Sequence, residues 1–132
     1  MDKYFYEFID ELAYRLENYE DSKQWADWMR DSAQKYKDNG NLERFFRAFG
    51  GMGSFYDRYF YYTNITRVLC SVTSNIAKSL NNNKDDAISS ILENKSVYDE
   101  EELNYLNYLE ANYKLGNLHD ITEEYKEEKK IK

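Results

Sequence analysis

Seven apolar positions near the start of the chain, Phe5, Phe8, Ile9, Leu12, Ala13, Leu16 and Tyr19, recur at the i, i+3, i+4, i+7 spacing of one helical face. A stripe of that length has to be covered, so the first element is an amphipathic helix that needs apolar partners. Glu7, Asp10, Glu11 and Glu17 fall on its other face. The period then returns. Asp21 or Ser22 caps a second helix with an inward stripe of Trp25, Trp28, Met29, Ser32 and Tyr36, and Asn39-Gly40 supplies the left-handed residue that ends it. So short a connection makes the two helices antiparallel neighbours. Asn41 caps a short third helix carrying Leu42, Phe45, Phe46 and Phe49. It stops at Gly50-Gly51-Met52-Gly53, because three glycines in four residues cost helix stability and favour positive φ.

Ser54, with Asp57 three residues on, opens the longest predicted helix. Its stripe is Phe55, Tyr59, Tyr62, Thr66, Leu69, Thr73, Ile76 and Leu80, and Tyr56, Phe60, Tyr61, Ile65, Val68 and Val72 fill much of the remaining circumference. Asn81-Asn82-Asn83-Lys84 ends it. Asp85 or Asp86 caps a short helix with Ala87, Ile88, Ile91 and Leu92. Asp99 with Glu102 is a second capping signature, followed by Leu103, Leu106, Tyr113 and Leu115 up to Gly116, and a last stretch from Asp120 holds Ile121 and Tyr125. No segment alternates with period two for more than a few residues. The expectation is an all-α fold: a single compact helical bundle of five to seven helices over residues 1–132, any sub-boundary falling at the Asn81–Lys84 turn. The Trp25/Trp28, Phe45/Phe49 and Ser54 helices are expected to share a core.

Length and composition agree. At 132 residues the chain has the size of one domain. Its mean hydropathy of −0.93 would suit a disordered chain, but 17% of residues are aromatic, fourteen of them tyrosine, and there is no proline. A single cysteine, Cys70, closes no internal disulfide, and a single histidine, His119, anchors no His-rich metal site. Acidic residues among the first dozen positions exclude a secretory signal, and no apolar run approaches the ~20 residues that cross a bilayer. A cytoplasmic protein with a reduced Cys70 and no membrane contact is expected.

The charge is −7, with 25 acidic against 18 basic residues, a balance that repels a phosphate backbone and disfavours direct nucleic-acid binding. The acid lies at both ends. In the middle, Arg44, Arg47, Arg58 and Arg67 flank the glycine turn. Arg44 and Arg47, with the backbone at Gly51 and Gly53 and the helix start at Ser54, form a candidate anion or nucleotide site. The lysine of a phosphate-binding G-x-x-x-x-G-K-[ST] loop is missing, so arginines paired with surface carboxylates are the weightier expectation.

No residue set reads as catalytic. Glu7 with Glu11 and Asp27 with Asp31 are carboxylate pairs at i, i+4, but no Glu-x-x-His accompanies them and no metal is expected. His119 with Asp120 reads as an ordinary surface pair, Ser54 as a cap without the G-x-S-x-G elbow, and Cys70 as a buried small hydrophobe. No cofactor is expected. The aromatics speak louder. Tyr59-Phe60-Tyr61-Tyr62, if helical, cannot all face one core at ~100° per residue, so some must reach the surface, where tyrosine is a preferred interface residue.

The order Trp25-Ala26-Asp27-Trp28-Met29, Leu42-Glu43-Arg44-Phe45-Phe46 and Ala48-Phe49-Gly50-Gly51-Met52-Gly53-Ser54-Phe55 resembles a family of small bacterial proteins of unassigned function. Their shared mark is a W-x-x-W helix followed by an F-G-G-M-G-S turn. The resemblance covers roughly residues 5–62. Where that family follows the string with a polar pair containing Asn-Asp, Tyr56-Asp57 keeps the Asp and lacks the Asn. It implies a helical accessory domain, of the sort to which toxin-neutralising immunity proteins belong by size and charge, and brings no catalytic residues.

The functional expectation is therefore binding: an acidic immunity or antitoxin-type inhibitor that docks on a basic toxin or enzyme. Glu7, Asp10, Glu11, Glu17, Tyr61, Glu100, Glu101 and Glu102 are its candidate contact residues. Two alternatives stand beside it: a small-anion or nucleotide-binding regulatory domain at the glycine turn, and a phage-type acidic mimic of nucleic acid that inhibits a host enzyme.

Overall fold

The computed structural model describes residues 2–49, 61–82, 91–92, 95, 98–116, 118, 121 and 125. These hold five helices and no strand: α1 (Asp2–Asn18), α2 (Lys23–Asn39), α3 (Glu43–Arg47), α4 (Asn64–Asn81) and α5 (Glu100–Lys114). The all-α expectation holds.

The hub is α1. Its stripe of Phe5, Phe8, Leu12, Ala13 and Leu16 has no exposed surface, and α1 packs most extensively on α2 and then on α4, while α3 rests on α2 and α5 on α4. The expected three-way core of the second, third and fourth helices lacks this hub, because α2 and α4 are each covered chiefly by α1. Antiparallel pairing of α1 and α2 is visible at both ends. Phe5 meets Tyr36 with ring centroids 5.4 Å apart, and Glu17 pairs with Arg30.

Local signals place most helix ends. Gly40, at φ +71°, closes α2 by donating its N–H to the Tyr36 carbonyl at 2.8 Å, a backbone state that suits glycine. Asp99 and Glu102 form a complete capping box, with bonds of 2.9 and 3.0 Å. Ser22 is the N-cap residue of α2 but makes no capping bond there. Asn41 does cap, one residue early: its Oδ1 accepts from the Glu43 N–H at 2.7 Å, with Leu42 as the first flanking residue of α3.

The largest departure concerns the predicted helix from Ser54. Residues 50–60, including Gly51, Gly53 and Ser54, lie outside the described residues. Tyr61, Tyr62 and Thr63 are not helical, and α4 begins afresh at Asn64. Thr63 is the reason. Its backbone is extended, at φ −63° and ψ 159°, and its hydroxyl accepts from the Thr66 N–H. The break sends neighbouring rings opposite ways, Tyr62 into the core at 6% exposure and Tyr61 outward at 88%. Leu115, predicted on the inner stripe of α5, is 81% exposed because it already belongs to the turn at Gly116, whose φ is +73°. Beyond α5, Leu118, Ile121 and Tyr125 return to the core.

Candidate functional site

The α1–α2 turn and the start of α4 meet at one corner of the bundle. Arg15, in the last turn of α1, is 1% exposed, and its guanidinium carbon lies over the Tyr19 ring, 3.9 Å from the centroid. A charge that deep needs acceptors. Its Nε donates to Thr66 Oγ1 and its Nη2 to Thr63 Oγ1, each at 2.9 Å. Both hydroxyls pass the interaction on to Glu20 Oε2, Thr63 at 2.7 Å and Thr66 in a shorter bond, and the Thr63 N–H donates to the same carboxylate oxygen at 3.2 Å. The cation of α1 and the carboxylate of the turn thus hold the first residues of α4 between them. None of these four residues was singled out as a polar cluster by the sequence pattern.

Outside this network lies a cleft of about 520 Å³ lined by Glu20, Asp21, Ser22, Tyr61 and Tyr62. Asp21 is exposed and holds φ at +51°, a left-handed state that non-glycine residues adopt at some cost. Behind it the Tyr62 hydroxyl donates to Ser22 Oγ at 3.3 Å, and Arg67 Nη1 donates to the Tyr62 carbonyl at 3.2 Å. The wall is therefore fixed while the Tyr61 ring stands free of it.

The eight candidate contact residues are not brought together. Asp10 on α1 and Glu100 and Glu101 on α5 are exposed and have no ion-pair partner among the described residues. Glu7 lies 3.9 Å from Lys3. Three others turn inward or pair. Glu11, predicted on the outer face of α1, is 8% exposed and accepts the Ile121 N–H at 3.1 Å, because the returning C-terminal residues cover that side of the helix. Glu17 pairs with Arg30, and Glu102 serves its capping box and lies 3.8 Å from Arg67.

At the glycine turn, Arg44 pairs with Asp31 and stacks on Trp28 at 3.9 Å, and Arg47 pairs with Glu43 at 2.6 Å. Both guanidinium groups thus have carboxylates in place of a free anion. Trp28 also donates its indole N–H to the Arg44 carbonyl at 3.0 Å, so half of the W-x-x-W pair is a joint between α2 and α3. Asp27 lies 3.2 Å from Lys23. Among the described residues no group of three or more His, Cys, Asp or Glu is placed to hold a metal ion, and no helix is long and apolar enough to cross a membrane. Cys70 is buried, which pushes its thiol above its ordinary range, and His119 and Asp120 lie outside the described residues.

A family model described as a domain of unknown function (DUF6966) matches residues 19–68, less than half of the chain. The matched stretch begins at Tyr19 and ends just past Thr66, so it contains Thr63 and Thr66 and the cleft-lining residues Glu20, Asp21, Ser22, Tyr61 and Tyr62. No curated protein and no solved structure matches the chain. Over residues 19–68 the protein is similar to that family, and the shared part includes the cleft lining and both threonines of the corner, while Arg15 lies outside it.

Proposed function

We propose that the protein is a non-catalytic binding domain that docks on a basic protein surface through the Tyr61 corner, acting as an immunity or antitoxin-type inhibitor of a toxin or enzyme. The observation that carries this reading is the Tyr61 ring, 88% exposed beside Asp21 and Glu20 on a rigid wall. Leaving so large an apolar ring in water gives up burial worth about 1.5–3 kcal/mol for a side chain of this kind, which a partner recovers. A ring next to carboxylates suits a lysine or arginine, because a cation over a ring gains ~0.5–2 kcal/mol depending on desolvation. The net charge of −7, with Asp10, Glu100 and Glu101 open to solvent, favours fast approach of a cationic partner.

The test begins with a photo-crosslinking residue at position 61 in cells that also express the reading frame next to this protein's gene. With the captured partner purified, Tyr61→Ala is expected to weaken binding at least about tenfold, chiefly through faster dissociation. Asp21→Lys should slow association and flatten its dependence on salt. Affinity indifferent to Tyr61→Ala and to ionic strength would remove the corner from the interface.

A further inference from the structure

We propose that the cavity between α3 and α4 binds a small aromatic carboxylate. Ser71, Ser74, Asn75 and Lys78 follow the i, i+3, i+4, i+7 spacing and form a polar stripe on a helix whose other faces bury Val68, Leu69, Val72, Ile76 and Ala77. That stripe does not simply face water. Phe46 of α3 and Phe49 just beyond it stand opposite, and the half-open pocket between them has a volume of about 260 Å³.

Three of the four polar side chains are uncommitted among the described residues. Ser71 accepts a hydrogen bond from the Tyr98 hydroxyl at 3.1 Å. The Ser74 hydroxyl, the Asn75 amide and the Lys78 ammonium have no partner among the described residues, although Ser74 and Asn75 are half-buried. Half-buried polar groups are ordinarily satisfied by protein or by something bound. Among the described residues that line the space, Lys78 is the only charged one, which favours an anion there. Two phenylalanine rings and a soft, 1% exposed Cys70 favour a flat apolar body.

Size selects the class further. A cavity of about 150 Å³ holds benzene, so the volume here accommodates one ring or two fused rings with a carboxylate at its open side. In that fit the ring lies against Phe46 and Phe49, and the carboxylate accepts from Asn75 Nδ2, Ser74 Oγ and Lys78 Nζ. The neutral Cys70 thiol is a contact surface and performs no covalent step.

The experiment titrates the full chain with benzoate, salicylate and indole-3-carboxylate, with benzamide as the uncharged control and inorganic phosphate as the ringless anion. Melting temperature and the amide NMR signals of residues 71–78 are the readouts. At least one carboxylate is expected to raise the melting temperature in a concentration-dependent way and to shift those signals, with benzamide weaker and phosphate silent. Lys78→Met should weaken the carboxylate about tenfold and leave benzamide unchanged. Because the Lys78 side chain is exposed and makes no hydrogen bond or ion pair among the described residues, that variant is expected to fold as the parent does. Ser74→Leu fills the space and should abolish both. No response to any ring compound at about 1 mM, or a carboxylate whose affinity survives Lys78→Met, overturns the assignment.

Discussion

At its N-terminal end α1 is gripped by rings: Phe5 meets Tyr36 at 5.4 Å and Phe45 at 5.6 Å, and Phe45 in turn meets Phe46 and Phe49 at 5.6 and 5.3 Å. Ten residues later, roughly 15 Å along the axis, the same helix is held by a buried guanidinium, two threonine hydroxyls and a carboxylate. The ring end needs volume and little else, and many apolar side chains of the right size can supply it. The polar end needs each donor matched to an acceptor, and each partner lost leaves another stranded. The proposed docking corner sits on the second kind of support, where a tyrosine can be held outward without the core having to accommodate it.

The largest expected effect tests the ring end. Phe45 is fully buried against Phe5, so Phe45→Ala opens a cavity there and should cost about 3–5 kcal/mol in denaturant unfolding, whereas Phe45→Leu should cost well under half of that. Next comes Arg15→Met, at about 2–3 kcal/mol. Its volume is kept but Glu20, which is half-buried, loses the cation behind its hydroxyl partners. Thr66→Val should cost about 1–2 kcal/mol. Combined with Arg15→Met it should be less than additive by at least ~0.5 kcal/mol, while Arg15→Met combined with Phe45→Ala should be additive within ~0.5 kcal/mol. Additivity in the first pair, or strong coupling in the second, would erase the distinction between the two ends.

A smaller, pH-dependent effect lies away from both. Lys95 donates to Glu110 at 2.9 Å, and that hydrogen bond holds the Glu110 carboxyl below its usual range. A carboxylate lowered in the folded state contributes stability above its unfolded pKa and loses it as pH falls through the folded value. Lys95→Met should therefore be less stable than the parent at neutral pH, with the difference shrinking as pH falls below the ordinary glutamate range and the Glu110 carboxylate is protonated. The smallest effect is expected at Lys23, which meets Asp27 in open solvent: Lys23→Ala should stay within about 0.5 kcal/mol by the same unfolding assay.

Much of this architecture was legible because its signals are local. The α1 stripe, Gly40 closing α2 and the Asp99/Glu102 box each depend on residues within one or two helical turns. The break before α4 was missed because the apolar period runs through it unbroken. Thr63 is an ordinary N-cap residue, but Thr66 stands where a capping box would show Glu, so the stop carries little written signal. Arg15 lies seven residues after Phe8 and three after Leu12, on the buried side, so its burial was readable in the spacing. Its acceptors, 48 and 51 residues away, were not. Glu11 is harder still. Spacing puts it on the face away from the stripe, and its partner amide lies 110 residues along the chain. The candidate site was legible in one residue, Tyr61, for a reason that needed revision: it is outward because the helix stops, not because a helix carries it around.

Trp28 gives the α2–α3 joint an optical signature. Its indole N–H is tied to the Arg44 carbonyl at 3.0 Å, a guanidinium covers its face at 3.9 Å, and the second indole, Trp25, is 5.4 Å away. Detachment of α3 would strip away the amide dipole and the cation together and leave the excited indole to relax in bulk water. Its emission would move to longer wavelength, giving a spectroscopic report on whether α3 stays seated on α2.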